Sequence, residues 1–528
     1  MEASSGRLPR SPLPRGQLFL NRGVRPRASE HKLLDEIKKL FKHSSVYGLG
    51  NILNKAVGFL LIPFYTHYLT TADYGTLELL DLSVALVGLL LNMWMNASLV
   101  RHYCEYEDAE NRHAVVSTSL LATSVVAAVI AIIGAFCAKG ISSLILKTPS
   151  FYPFIWVISA NLFFTCVNSV SWSYMRARQR SSFIVAGNTV SLVLTLGLNI
   201  YFLAVLKTGF AGILYSSLIS NVLVTAGLTI ITVREVGLGF DVIKLKALAA
   251  FGLPLILTSF SAFELNFADR FFLQHYSDVS TVGIYALGYK FGYMLSFLII
   301  QPFIMIWGAR MYEVAKRKDA GDALSRISAY FVLTLTAAAL VMSLVIKELI
   351  SVVAAPQFHA AYKVVPVVAL AYLFYGLSYY FQTGLYVRKK TLYLGLMGAV
   401  CAAANIGLNF ALIPRYAAMG AAWATALSFM IMAMLAYAFS QKVYRIPYSL
   451  FRTAVPIVAA TATYLSSTFI HVPSPAASIG LKLALVLPFA AAIVLSGFFD
   501  DMEMNKLRQA AQMARGRLGW GVATVSGS

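Results

Sequence analysis

Lys55, Arg270 and Lys290 are cations set inside apolar stretches long enough to cross a bilayer, and Glu264 and Asp269 are carboxylates in the same setting. An ammonium near the bilayer centre costs at least ~2.5 kcal/mol on insertion scales, so such a group faces water, an acidic partner or an anion. Lys55 stands about 11 residues into its stretch, roughly 16 Å from the start at 1.5 Å per residue, where snorkelling rescues it least. It is either a cavity-lining group or half of a structural ion pair. Asp269 and Arg270 are successive and project about 100° apart, so they are not expected to serve simply each other, and Arg270 has the alternative of snorkelling to the outer surface. Lys290, nine residues into its stretch, admits both cavity and structural readings.

The elements that hold these groups are apolar helices. A hydrophobic fraction of 58% and a mean hydropathy of +0.70 exclude a soluble domain. Apolar runs bounded by charges place fourteen spans near 44–67, 78–100, 114–137, 150–173, 182–205, 210–232, 248–273, 281–307, 326–350, 361–384, 391–413, 417–440, 451–470 and 477–498. The fold class is all-α, a polytopic membrane protein. Nineteen Lys and Arg fall in the even-numbered connections and six in the odd-numbered ones, which puts both termini in the cytoplasm. The net charge of +20 then reflects cytoplasmic loops beside anionic headgroups, and no nucleic-acid partner is implied. Residues 1–28 read as a disordered tail, and 31–43 as a helix lying in the membrane interface, with Leu33, Leu34, Ile37, Leu40 and Phe41 on one face.

An internal repeat organises the spans. Phe64, His67, Tyr68 and Gly75 recur as Phe272, His275, Tyr276 and Gly283 at an offset of 208 residues, and Gly197-Leu198-Asn199 recurs as Gly407-Leu408-Asn409 at 210. Two copies of one membrane unit are the plan of secondary transporters, in which halves rock about a site between them. Glu264 is the counterpart of Lys55 at an offset of 209, so the two are placed to meet across the pseudo-two-fold axis, as a switch or as a static salt bridge. Asn51, Asn54, Asn92, Asn96, Asn161, Asn168, Asn199, Asn266, Asn405 and Asn409 give many spans an amide, for interhelical hydrogen bonds or for a polar ligand. Tyr375, Tyr379, Tyr380 and Gln382 suit either sugar stacking or an interfacial belt. Pro254 after Gly252, and Pro302, remove helical hydrogen bonds and permit bending.

Tyr47-Gly48, Asn51, Asn54-Lys55, Pro63-Phe64-Tyr65-Thr66 and Asp73-Tyr74-Gly75, followed by Ala268-Asp269-Arg270-Phe271-Phe272, Val282-Gly283-Ile284-Tyr285 and Gly288-Tyr289-Lys290-Phe291-Gly292, resemble the polysaccharide-transport (Wzx-type) flippases of the MOP superfamily. The likeness runs from about 44 to 440. It implies two six-helix, MATE-like lobes around a central cavity, 44–240 and 241–440, with an extra helix pair at 441–498 between cytoplasmic segments 1–43 and 499–528. It also implies a cargo, an oligosaccharide on a polyprenyl diphosphate, moved from the inner to the outer leaflet of the plasma (inner) membrane for surface polysaccharide assembly. The expected partners are that glycan, membrane lipids, and polymerase and export machinery. In this reading Lys55, Arg270, Lys290 and Asn51 line the cavity, while Glu264 and Asp269 couple an ion or form ion pairs. Such a cargo requires a hydrated cationic cavity with polar walls.

Two other readings stand beside it: an ion-coupled exporter of small cationic compounds, which wants an acidic cavity, and a scaffold of a polysaccharide synthase complex that moves nothing. No P-loop, nucleophile elbow or HExxH occurs, so no catalytic residue and no cofactor is expected. Cys104, Cys137, Cys166 and Cys401 have neither metal nor disulfide spacing, and the acidic turn around Glu105–Glu110 matches no metal-ligand pattern.

Overall fold

In the computed structural model, residues 58–59, 61–470, 474–501, 503–505 and 509 are described, all within one compact unit, 50–528. Lys55, Asn51, Asn54, the helix expected at 31–43 and most of both tails lie outside the described residues. Every regular element among those described is helical, as hydrocarbon requires of a backbone that must satisfy its own hydrogen bonds. The first half comprises α1 (Ile62–Tyr68), α2 (Thr71–Glu105), α3 (Ala109–Phe136), α4 (Ala138–Leu146), α5 (Tyr152–Ala177), α6 (Ser181–Ile200) and α7 (Phe210–Val236). Next come α8 (Val242–Gly252), α9 (Leu255–Phe267), α10 (Asp269–Tyr276), α11 (Val279–Leu295), α12 (Gln301–Val314), α13 (Ala320–Val353), α14 (Val365–Phe381), α15 (Thr383–Val387) and α16 (Leu392–Val443). The chain closes with α17 (Leu450–Ser467), α18 (Pro475–Ala484) and α19 (Val486–Leu495).

Ten helices among the described residues are long and apolar enough to cross a membrane, so the count of fourteen is not reached. The differences have local causes. The span expected at 248–273 is cut into α8, α9 and α10 by Gly252-Leu253-Pro254 and again at Ala268. The spans at 391–413 and 417–440 run on as α16 across a kink at Ala417 (φ 45°), three residues after Pro414. The span at 281–307 is continuous from α11 into α12 through a π-helical turn, Ser296–Ile300, just ahead of Pro302, where one extra residue per turn is accommodated.

The repeat is visible in the backbone. Thr70 caps α2 in a reciprocal capping box with Asp73, and 208 residues later Asp278 caps α11 by accepting from Thr281 N–H at 2.8 Å. Gln179 and Lys389, 210 apart, both adopt left-handed φ, 55° and 56°, and the same carbonyl-capping bond follows each: Arg180 N–H to Met175 O, and Lys390 N–H to Leu385 O. The duplicated segments also touch. A Cβ on Gly75 would stand 2.0 Å from Val279 O, and one on Gly283 would stand 2.1 Å from Thr71 O. Since Thr71 and Val279 are themselves 208 apart, α2 and α11 meet in a self-complementary backbone contact about the pseudo-two-fold axis, which only glycine permits. Lys147 Nζ, donating to His275 O at 2.5 Å, ties α10 to the segment after α4 at the same end.

The terminal helices are fastened to α13. Ser478 Oγ and Lys482 Nζ both donate to Glu348 Oε1, at 2.7 and 2.6 Å, in a buried triad. At the opposite end of α13, Arg326 and Arg452 pair with Asp500 and Glu503.

Candidate functional site

Helices α2, α9, α10 and α11 meet in the middle of the bundle and bring most of the intramembrane charges together. Asp269 and Arg270 start α10, where the chain turns at Ala268 out of α9. Arg270 is 1% exposed, so it does not snorkel. Its Nη1 donates to Asp269 Oδ1 and to Asn266 O, both at 2.6 Å, and its guanidinium lies 3.9 Å from the Tyr289 ring centroid. The two neighbours pair, yet neither serves only the other: Arg270 also reaches Asn266 O and lies 4.0 Å from Glu78 Oε1. A 100° step separates Cα–Cβ directions, but the long arginine arm folds back over the helix break. Tyr285 Oη donates to Asp269 Oδ2, and Thr425 Oγ1 of α16 stands 3.4 Å from the same oxygen. The pair is thus a knot joining α9, α10, α11 and α16, with packing as its evident role.

Lys290 has a different setting. Its Nζ donates to Tyr74 Oη at 2.7 Å and lies 3.5 Å from Glu78 Oε2, so it binds α11 to α2. Yet its side chain is 43% accessible, and Asp81, one helical turn beyond Glu78, is exposed as well. Leu79, Leu80, Leu82, Tyr289 and Phe291 beside them are buried. Both side chains are therefore partly accessible although their neighbours are buried. Asp81 lies ten residues into α2 and Lys290 eleven into α11, about 15–17 Å from those helix starts and so close to mid-membrane. The cluster is mixed in sign: one ammonium and two carboxylates, with Lys290 donating to the phenol of Tyr74. Glu78, Asp81 and Tyr74 were not singled out from the sequence, because the second span was drawn from residue 78 and left both carboxylates at its rim. The Thr70-x-x-Asp73 capping pattern sets the helix start seven residues earlier.

Glu264 on α9 is 4% exposed, and neither carboxylate oxygen has a hydrogen-bond partner among the described residues. Asp269 is its charged neighbour. The expected meeting with Lys55 falls outside the described residues. Several amides act as helix-to-helix links: Asn92 accepts from Ser169, Asn221 donates to Asn161 at 2.7 Å, Asn199 donates to Tyr65 at 2.8 Å, and Asn405 donates to Ser428 at 3.0 Å. Tyr380 and Gln382 are buried, and Tyr375 packs on Phe429 with ring centroids 4.9 Å apart, so these aromatics are core.

Residues 66–307 match the family described as polysaccharide biosynthesis protein. An Lsg locus protein of Haemophilus influenzae is 25% identical over 284 residues, 53% of this chain and 68% of that protein. Among solved structures, the lipid II flippase MurJ in an inward closed conformation superposes with a TM-score of 0.67 at 13% identity, covering 84% of this chain and 97% of that one. An inward-facing multidrug resistance MATE transporter of the MOP superfamily gives a TM-score of 0.56 at 14% identity, covering 73% and 97%. Fold and site thus define a multi-pass helical membrane protein with the flippase-like architecture shared by MurJ and the MATE transporters. Within that fold, residues 66–307, which hold most of the motif residues, are similar to the polysaccharide biosynthesis protein family.

Proposed function

We propose that the chain is a flippase that turns a polyprenyl-diphosphate-linked oligosaccharide from the inner to the outer leaflet by alternating access, for surface polysaccharide synthesis. The observation that carries the reading is Lys290, a partly accessible cation among buried neighbours, in a chain whose residues 66–307 match a family named for polysaccharide biosynthesis. Lys290 is held by Glu78 and Tyr74, so an arriving diphosphate competes with Glu78 for the ammonium and loosens the tie between α11 and α2. Lys55 and Asn51 are proposed to join that cluster, and 44–240 and 241–440 to be the lobes that rock around it. The breaks around Pro254 and Ala268 and the π turn before Pro302 supply bending points. Both termini are proposed to be cytoplasmic, with polymerase and export proteins as partners.

Asp81 and Glu78 in the same cluster favour a second reading, an ion-coupled exporter of small cations, because an acidic wall recruits positive charge. Glu264, buried without a hydrogen-bond partner among the described residues, is the proposed coupling carboxylate in either case, with Asp269 beside it. In cells, Lys290→Ala and Lys55→Ala are expected to accumulate lipid-linked oligosaccharide on the cytoplasmic face at normal protein level. Losing a charge-assisted contact lowers export by about tenfold or more. Export at the native rate in both variants, together with Asp81→Asn losing resistance to a cationic compound, selects the exporter.

A further inference from the structure

Away from the charged centre, a cavity of about 620 Å³ lies between α2, α3 and α8. Trp94, Ala122, Val125, Leu245 and Ala249 contribute to walls that are apolar except for Thr123, and Phe240 stands at one end. Val125 is 62% exposed, so the space opens to the hydrocarbon around the bundle. The segment closing its other end is unusual. Leu238, Phe240, Val242 and Ile243 are all exposed, by 53 to 78%, in the connection between α7 and α8. Arg234, Lys244 and Lys246 flank them. Apolar side chains turned outward among cations at the end of a membrane helix are the composition of a segment seated at an anionic lipid surface.

The segment is also fixed in place. Asp241 N–H donates to Thr118 Oγ1 at 3.0 Å, Ser98 Oγ donates to Leu248 O at 2.8 Å, and a Cβ on Gly252 would meet Trp94 O at 2.4 Å, so α8 is clamped on α2 and α3. Carboxylates in the neighbourhood are mostly engaged. Asp241 accepts from the N–H groups of Ile243 and Lys244, Asp108 accepts from Asn111 N–H, and Glu105 lies 3.9 Å from Arg101. Glu107 and Glu110 remain exposed in the α2–α3 turn. Lys244 and Lys246 bracket Leu245, which lines the cavity; Lys246 is exposed, and Lys244 Nζ lies 3.8 Å from the Tyr106 ring centroid.

We propose that this cavity binds one acyl chain of an anionic phospholipid from the cytoplasmic leaflet, with the lipid phosphate held by Lys244 and Lys246. The proposal rests on the cytoplasmic placement of the 237–241 connection and is independent of what the central cavity carries. A single acyl chain suits a space of this size; a polyprenyl tail is much longer. The bound chain fills the void between α8 and the α2–α3 pair, so it stiffens α8 where it packs on α2 and α3.

Native mass spectrometry of the full chain, released from detergent after incubation with phosphatidylglycerol or phosphatidylcholine, reads the occupancy. One phosphatidylglycerol is expected to stay bound in preference to phosphatidylcholine. Lys244→Gln and Lys246→Gln should each weaken that preference by about fivefold. Ala122→Phe or Ala249→Phe, which fill the cavity, should remove the bound lipid. As a second measurement, a chain retaining Trp94 as its sole tryptophan should be quenched by brominated phosphatidylglycerol at low mole fraction. Equal retention of both lipids, unchanged retention in the filled variants, or displacement by polyprenyl phosphate would each overturn the assignment.

Discussion

Arg270→Ala is expected to strip most folded protein from the membrane, with any remainder unfolding at far lower temperature in detergent. The guanidinium is almost wholly buried and neutralises Asp269, itself 2% exposed, while lying over Tyr289. Removing one partner leaves an uncompensated buried carboxylate, which costs about 3–5 kcal/mol. Against a total stability of about 5–15 kcal/mol that is a large share. Removing both charges with Asp269→Leu and Arg270→Met should recover much of the loss, because an apolar pair of similar volume costs little there. Lys290→Met is the contrasting case: its amine already reaches open space, so stability should change little while transport fails. Size-exclusion profiles and thermal unfolding of the solubilised variants check the order. An Arg270→Ala chain as stable as Lys290→Met would mean that Arg270 belongs to the cavity and not to the knot.

Gly75→Val is expected to abolish transport with the protein present at normal amounts. A Cβ at that position collides with Val279 O and approaches Gly283 N to 2.9 Å, and backbone atoms cannot yield as a flexible side chain does. Overpacking of this kind costs about 1–3 kcal/mol, enough to part α2 from α11 without unfolding the bundle. On the charge distribution of the loops this seam is on the outer side, so the variant should be held open there. Gly283→Val should behave alike, since the contact is mutual. The seam can be probed in a chain with all four cysteines replaced by alanine, where added thiols need not sit on the glycines themselves. Thr71→Cys with Val279→Cys is the pair to compare with and without Gly75→Val, and undiminished cross-linking there would refute the parting.

How far the sequence carried depended on the physical signal. The 208-residue repeat survives in the backbone because caps and close glycine contacts depend on local residue types: Thr70 and Asp278, Gly75 and Gly283, Gln179 and Lys389. Hydropathy located the helical stretches, but it carries no information on whether a stretch is one helix: the breaks at Pro254 and Ala268 divide the stretch at 248–273, whereas the kink at Ala417 falls where two spans were drawn. The intramembrane cations were legible by their cost in hydrocarbon. Their partners were not, since Lys290 finds Tyr74 and Glu78 across 216 and 212 positions of sequence. The snorkelling alternative for Arg270 failed because the side chain folds back over the helix break and is buried. Glu78 and Asp81 were missed by starting the second span too late.

The central claim is that this chain moves a lipid-linked oligosaccharide through a cavity in which Lys290 meets the diphosphate. Purified protein in liposomes, given a polyprenyl-diphosphate oligosaccharide and an impermeant glycosidase on one side, reports the movement as the fraction of glycan cleaved over time. With wild type, cleavage should run past the half already accessible towards completion, and with Lys290→Ala it should stop near that half. Glu264→Gln should flip without responding to an imposed pH or Na⁺ gradient. Cleavage that halts at the accessible half with wild type, or proceeds equally with Lys290→Ala, would contradict the account.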